Sequence, residues 1–270
     1  MDAYTAWTAE NAAGRIAVPR EDDDKYSRGV LGVITGSPMY PGAAVLGVEA
    51  ALHTGVGMVR YLGPPRAADL VLQRRPEAVT SAGRVQAWLM GSGMDHLERD
   101  GLDQMVQALS QPVAVVLDGG ALDLHARAAG PVVMTPHYRE LARLLGAERA
   151  AIAADPAAWA RTAADDLGVT VLLKGHTTYI AGPGISLRAA AAPTWLATAG
   201  AGDALAGILG ALVATHAQQI QDDPAELARL AATAAVLHGL AAERASSGGP
   251  LTILSLAAAV PATIAELLRD

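Results

Sequence analysis

Thr198-Ala199-Gly200-Ala201-Gly202-Asp203-Ala204-Leu205 joins a glycine-rich turn to an apolar stretch of helical period, with a carboxylate at the junction. Backbone N–H groups at a helix start have no intrahelical acceptor and suit a phosphate. Gly200, Ala201 and Gly202 are the candidate anion hole. Asp203 is the candidate catalytic base, placed to take a proton from a hydroxyl that attacks the bound phosphate. The positive end of the helix is expected to keep Asp203 ionised. The same residues also read as a plain helix start with Asp203 as its N-cap.

Two further segments carry reactive side chains. Lys174-Gly175-His176-Thr177-Thr178 follows the apolar run Val171-Leu172-Leu173 and suits a phosphate or ribose contact, or a surface turn. Thr135-Pro136-His137-Tyr138-Arg139-Glu140 opens a helix after another apolar run. Pro136 fits the first turn of that helix. His137 is a candidate ligand contact or a cap, and Glu140 a candidate water-mediated magnesium ligand or a partner in a salt bridge.

Alternating elements must hold these segments. Val30–Ile34, Met58–Leu62, Ala87–Met90, Val113–Leu117, Val132–Met134 and Val169–Leu173 are short continuous apolar runs, as in buried parallel strands. Thr177–Ile180 and Ile185–Leu187 read as a hairpin pair near one edge. Helical periodicity covers Ala43–Thr54, Leu97–Leu109, Tyr138–Leu145, Pro156–Leu167, Asp203–His216, Ala225–Arg244 and Leu256–Leu268. The pattern predicts an α/β three-layer sandwich with a mainly parallel sheet and helices on both faces. Ligands of such sheets bind beyond the carboxyl ends of the strands, so Asp118, His137, Glu140 and Lys174 are expected along one rim. No boundary divides residues 1–270. The first 24 residues show no clear period, and Glu21-Asp22-Asp23-Asp24-Lys25 reads as a solvated acidic loop.

Composition narrows the function. Apolar residues make up 51% of the 270 residues, yet Phe is absent and alanine abundant, which suits helices packed closely on a sheet. A net charge of −7 argues against a nucleic-acid partner. Without cysteine there is no disulfide or thiol chemistry, and a cytoplasmic setting is expected. The start of the chain does not read as a signal peptide. Ala204–Thr215 is too short to cross a bilayer, so no membrane association is expected.

In chain order, Gly-Ser…Tyr40-Pro41-Gly42-Ala43, Gly91-x-Gly93, Asp118-x-x-Ala121-Leu122, Thr135-Pro136-His137-x-x-Glu140, Leu173-Lys174-Gly175 and Gly200-x-Gly202-Asp203 resemble the ribokinase-like superfamily. More narrowly, they are similar to the ADP-dependent NAD(P)H-hydrate dehydratases. Thr-Pro-His and Tyr-Pro-Gly-Ala are the discriminating pieces, and the resemblance runs from about Lys25 to Leu267. It implies a cofactor-repair lyase that uses ADP or ATP with Mg2+ to dehydrate the hydrated cofactors NADHX and NADPHX. The ring hydroxyl would be phosphorylated and phosphate then lost. By position, Ala43, Gly93, His137 and Asp203 would contact the hydrated cofactor. Lys174, Gly175, His176, Thr177, Thr178 and Gly202 would contact the adenine nucleotide. A homo-oligomer, with a tetramer among the forms considered, and functional pairing with a separate NAD(P)H-hydrate epimerase are also expected.

Three departures bear on this. Gly119-Gly120 stands where the family usually has Ala-Asp, Ser92 where it has Pro, and Ala201 where it has a hydroxyl residue. Two other readings remain open: a ribokinase-like kinase of a vitamin precursor, of hydroxymethylpyrimidine or thiazole type, and a nucleotide-binding regulatory module without turnover.

Overall fold

The computed structural model describes residues 4–95, 101–190 and 192–269. Its elements, in chain order, begin with β1 (Thr5–Trp7), α1 (Ala9–Ala13), β2 (Val30–Ile34), α2 (Gly42–Thr54), β3 (Met58–Tyr61) and α3 (Pro65–Arg74). Next come β4 (Ala87–Met90), α4 (Leu102–Leu109), β5 (Ala114–Leu117), a 3-10 segment (Gly119–Arg127), β6 (Val132–Met134), α5 (Tyr138–Leu145), α6 (Arg149–Ala154) and α7 (Pro156–Leu167). The last part holds β7 (Thr170–Leu173), β8 (Thr178–Gly182), β9 (Ile185–Ala189), a short 3-10 turn (Thr194–Leu196), α8 (Ala201–Thr215), α9 (Ala217–Asp222), α10 (Glu226–Ser246) and α11 (Ile253–Leu267).

Nine strands form one sheet in the order β1-β9-β8-β7-β6-β5-β4-β2-β3. All neighbours are parallel except β7–β8 and β8–β9, so β8 alone runs against the rest. The central strands bury every residue, which is why they read as unbroken apolar runs rather than as alternation. On one face lie α2, α3, α8, α10 and α11, sharing a core with Leu31, Val33, Leu89 and Val116. On the other lie α4, the long 3-10 segment, α5, α6 and α7, packed on Ile34, Met90, Leu117 and Met134. This is the three-layer sandwich expected from the sequence.

The abundance of small residues has a structural use where α2 crosses α8. A Cβ on Gly207 would overlap the carbonyl oxygen of Gly47, and a Cβ on Gly47 would stand 3.5 Å from the carbonyl oxygen of Asp203. The two backbones therefore touch with no side chain between them, which places the helix starting at the glycine turn directly on the helix that starts at Gly42.

The hairpin expectation holds for β8 and β9, but β1 pairs in parallel with β9 and takes the edge. The N-terminal segment is thus partly regular rather than unpatterned. Thr8 and Asn11 form a capping box on α1, and Trp7 Nε1 donates to Thr233 Oγ1 at 3.0 Å. The expected acidic loop is a hydrogen-bonded turn: Asp24 Oδ1 accepts from the N–H groups of Tyr26 and Ser27. Of the helix expected over 97–109, residues 97–100 lie outside the described residues, and the described part begins at Leu102. No described helix is long and apolar enough to cross a membrane.

Candidate active site

The carboxyl ends of β2, β4, β5, β6 and β7 open on one rim, and the start of α8 faces them. Lys174 immediately follows β7. Its backbone N–H donates to Pro136 O at 2.8 Å, and a single bridge pairs it in parallel with His137. The Thr-Pro-His segment and the Lys-Gly segment are therefore adjacent extensions of β6 and β7.

Asp118, at the end of β5, is the hub of the rim. Its Oδ1 accepts from Lys174 Nζ at 2.7 Å and from Thr135 Oγ1 at 2.7 Å, and its Oδ2 accepts from Ser92 Oγ at 2.9 Å. The side chains are 6% exposed for Asp118 and 20% for Lys174. Burial alone would raise the Asp118 carboxyl, but the Lys174 ammonium and the donated hydrogen bonds outweigh it and hold the group below its usual range. Burial likewise disfavours the Lys174 cation, and the negative charges of Asp118, Glu140 and Asp203 more than offset that. Asp118 and Lys174 are thus a buried ion pair.

Asp203 is the third residue of α8, not its N-cap; Gly200 occupies the cap with φ +90°, a conformation glycine adopts without strain. The helix end does not keep Asp203 fully ionised, contrary to the sequence expectation. Burial, joined by the negative charge of Asp118 and opposed by Lys174, pushes its pKa up to about 7. The anion hole is also revised in part. Ala201 gives its N–H to Thr198 O at 3.4 Å, whereas the N–H groups of Gly200, Gly202 and Asp203 have no acceptor among the described residues and remain the candidate donors of the turn. A Cβ on Gly202 would stand 3.4 Å from Lys174 Nζ, which sets the lysine beside those donors.

His137 and Glu140 make a reciprocal cap on α5. The Glu140 N–H donates to His137 Nδ1 at 3.0 Å, and the His137 N–H donates to Glu140 Oε2 at 2.7 Å. Glu140 Oε2 also lies 3.9 Å from Lys174 Nζ, so the plain alternatives, a cap for His137 and a salt bridge for Glu140, are both present. The imidazole of His137 stays exposed at the rim. Ala43 and Gly93 meet each other: Gly93 has φ +68°, and a Cβ there would overlap Ala43 Cβ. Ser92 O accepts from the Gly36 N–H at 2.7 Å, tying this floor to the loop after β2. Gly175 packs on the Tyr138 hydroxyl, His176 stands in solvent, and Thr178 begins β8. Hence Ala43, Gly93, His137, Glu140, Lys174, Gly202 and Asp203 are linked through Asp118, whereas His176, Thr177 and Thr178 flank the cluster on the turn to β8.

Among the described residues, no group of three or more His, Asp or Glu side chains could hold a metal ion. Asp118 is filled by three donors, and one oxygen of Glu140 is given to the helix cap. Among the described residues, the rim therefore gathers no magnesium cage from protein ligands alone.

Sequence reasoning placed Asp118 at the rim without giving it a role in the site. Its signal was an aspartate directly after a buried strand. Ser92 and Thr135, its hydroxyl partners, carry no signal until the strands are set side by side.

The deciding comparison is with a protein-family model: NAD(P)H-hydrate dehydratase matches residues 31–259. The chain belongs to the NAD(P)H-hydrate dehydratase family. The bifunctional NAD(P)H-hydrate repair enzyme Nnr of Mycobacterium tuberculosis is 44% identical over 221 residues, covering 77% of this chain and 45% of that protein. An ADP-dependent (S)-NAD(P)H-hydrate dehydratase of Neisseria meningitidis is 32% identical over 243 residues, covering 83% of this chain and 79% of its relative. The chain spans a little under half the length of the bifunctional relatives it matches. Among solved structures, the ADP/ATP-dependent NAD(P)H-hydrate dehydratase of Bacillus subtilis, co-crystallised with ATP/Mg2+, superposes with a TM-score of 0.87 at 26% identity, covering 99% of this chain and 100% of that one. A ribokinase-like superfamily protein of Enterococcus faecalis superposes with a TM-score of 0.85 at 22% identity, covering 100% of this chain and 98% of that one, so the fold is of the ribokinase-like kind.

Proposed function

We propose that this chain, as a single catalytic domain over residues 1–270, dehydrates NADHX and NADPHX to NADH and NADPH at the expense of ADP or ATP. The observation that carries the reading is Asp203, a carboxylate near neutrality at the first turn of α8 with Lys174 beside that turn. A base poised near the working pH has the strength needed to accept a hydroxyl proton.

In this reading the cofactor ring lies over Ala43 and Gly93, where the absence of side-chain bulk leaves a flat floor, and the exposed His137 contacts it from the β6 side. Asp203 takes the ring hydroxyl proton as the oxygen attacks the terminal phosphorus. A new O–P bond forms, and the bond to the shortened nucleotide breaks. Gly202, Asp203 and Lys174 supply N–H groups and a cation where charge gathers on the transferred group. The ring nitrogen lone pair then expels phosphate, and loss of a neighbouring ring proton restores the dihydropyridine. Lys174 with Gly175, His176, Thr177 and Thr178 holds the nucleotide. Magnesium would be held beside the nucleotide, with Glu140 reaching it through water, and would neutralise phosphate charge there. A homo-oligomer and pairing with an NAD(P)H-hydrate epimerase belong to the same proposal; the bifunctional name of the mycobacterial relative fits such pairing.

The test is incubation of hydrated NADH with protein, Mg2+ and ADP or ATP, followed by near-ultraviolet absorbance. Recovery that needs all components supports the dehydratase. Recovery without nucleotide refutes the phosphoryl route. A stable phosphorylated vitamin precursor, with no recovery on hydrated NADH, points to the kinase. Nucleotide binding without turnover on either points to the regulatory module.

A further inference from the structure

Ser92 departs from the family pattern, and nothing in the reaction above uses its side chain. It is 1% exposed and stands between two glycines in the left-handed region, Gly91 at φ +97° and Gly93 at φ +68°. Its two polar groups bind different elements. The carbonyl accepts from the Gly36 N–H at 2.7 Å, on the loop that leads to Ala43. The hydroxyl donates to Asp118 Oδ2 at 2.9 Å. A proline, the residue that the sequence resemblance implies here, has no hydroxyl to give, so this bond comes with the departure. A second departure lies against it: Gly120 donates its N–H to Gly91 O at 3.2 Å.

Asp118 divides its donors unevenly. Its Oδ1 takes Lys174 Nζ and Thr135 Oγ1, both at 2.7 Å, whereas among the described residues its Oδ2 takes Ser92 Oγ alone. A buried carboxylate oxygen left without a donor is costly, and the torsion that turns an aspartate carboxylate is soft. Without the Ser92 hydroxyl, Oδ2 would turn toward the remaining donors and the lysine would shift with it. With the hydroxyl, one oxygen is held from the β4 side and the other faces Lys174. Lys174 Nζ in turn stands 3.4 Å from where a Gly202 Cβ would lie, beside the turn that opens α8. The contacts run from Ser92 through Asp118 and Lys174 to that turn.

We propose that Ser92 is a positioning residue for phosphoryl transfer: its hydroxyl fixes the Asp118 carboxylate in the orientation that holds the Lys174 ammonium at the α8 turn, where charge gathers on the transferred group. The proposal rests on the dehydratase reading for its kinetic test and on the hydrogen-bond geometry alone for its spectroscopic test. The tie to Gly36 is made by the backbone, so the side chain can be changed with the floor of Ala43 and Gly93 left in place.

The experiment compares wild type with Ser92→Ala, which removes the donor, and Ser92→Thr, which keeps one. Recovery of hydrated NADH by the wild type is measured first; its failure refutes the dehydratase reading and leaves the spectroscopic arm to decide. With turnover present, Ser92→Ala is expected to lower kcat about tenfold, in scale with a small displacement of one charge at the reacting centre. Its KM for hydrated NADH stays within about threefold, and Ser92→Thr keeps most of the wild-type rate. In a Lys174→Met background the Ser92→Ala change alters kcat less than about twofold, since the lysine through which it acts is gone. In the spectroscopic arm the lysines carry 15N, and the Lys174 ammonium resonance is identified by its loss in Lys174→Met. It is expected to move in Ser92→Ala and to stay near its wild-type position in Ser92→Thr. A folded Ser92→Ala protein with wild-type kcat, with a loss confined to KM, or with an unmoved Lys174 resonance overturns the proposal, as does an undiminished effect in the Lys174→Met background. Should Ser92→Ala not fold, the wild-type hydroxyl decides: a Ser92 Oγ–H protected from exchange with water supports the proposal, and a freely exchanging one overturns it.

Discussion

Lys174 Nζ reaches Asp118 Oδ1 at 2.7 Å by spanning from the end of β7 to the end of β5, over the end of β6 that lies between them. Thr135, at the end of β6, donates to the same carboxylate oxygen. One carboxylate therefore ties three neighbouring strands at the point where the nucleotide and the cofactor are expected to meet.

Because the pair is buried, removing one member leaves the other uncompensated. Lys174→Met and Asp118→Asn are each expected to cost about 3–5 kcal/mol of stability. The double variant should cost less than the sum, since it leaves no lone charge. Urea unfolding of the four proteins checks this. Additive losses would mean that the two charges do not interact.

The position of Asp203 sets a pH dependence. With its pKa pushed up to about 7, the base form is lost as pH falls through neutrality. The value of kcat/KM for hydrated NADH should therefore rise with pH and level off above about 7, the acid limb falling tenfold per unit. Lys174 opposes the upward shift, so Lys174→Met should move the limb to higher pH. Asp203→Asn should reduce turnover by about 10²–10⁴ and erase the limb. A wild-type profile flat from pH 5 to 8 would remove Asp203 from the role of base.

Stability carries the opposite sign at the same residue. A carboxyl whose pKa is higher folded than unfolded binds more protons in the native state, so its contribution falls as pH rises from its unfolded value toward about 7. Across roughly three pKa units this amounts to about 4 kcal/mol. Asp203→Asn removes that penalty. The variant should match wild type near pH 4 and exceed it by a few kcal/mol at pH 8, as read by unfolding at both pH values.

Gly120 stands where the sequence resemblance implies a carboxylate, and the space around it is closed. A Cβ there would lie 2.8 Å from both the carbonyl carbon and oxygen of Met94 and 2.9 Å from the carbonyl carbon of Asp95. Backbone cannot yield as a flexible side chain can. Gly120→Asp is thus expected to destabilise by about 1–3 kcal/mol rather than to raise activity. Higher turnover with an unchanged melting temperature would show that the loop after β4 moves aside.

The sequence made most of the sheet legible because buried parallel strands are apolar without interruption, and β2, β4 and β6 begin and end where those runs do. Helices α5 and α7 were equally clear, since each opens on a capping residue and closes on glycine. Short elements gave too little period: β1 has three residues, and α6 and α9 have six each. Pro64-Pro65 hides α3, although Pro65 merely fills its first turn. Within the site, motif spacing located Asp203, Lys174, His137 and Gly93. The charge state of Asp203 was not legible, because it depends on burial by neighbours far away in the chain and on Asp118.

The bare crossing of Gly47 and Gly207 bears on how the reacting groups are brought together. Helix α2 carries Ala43 at its start, and α8 carries Asp203. Helices that slide past one another do so through a layer of side chains that change rotamer. Backbone resting on backbone has no such layer. The floor beneath the cofactor ring and the base beside it are therefore set at a fixed separation when the chain folds, and shear between these two helices is not available as a gate.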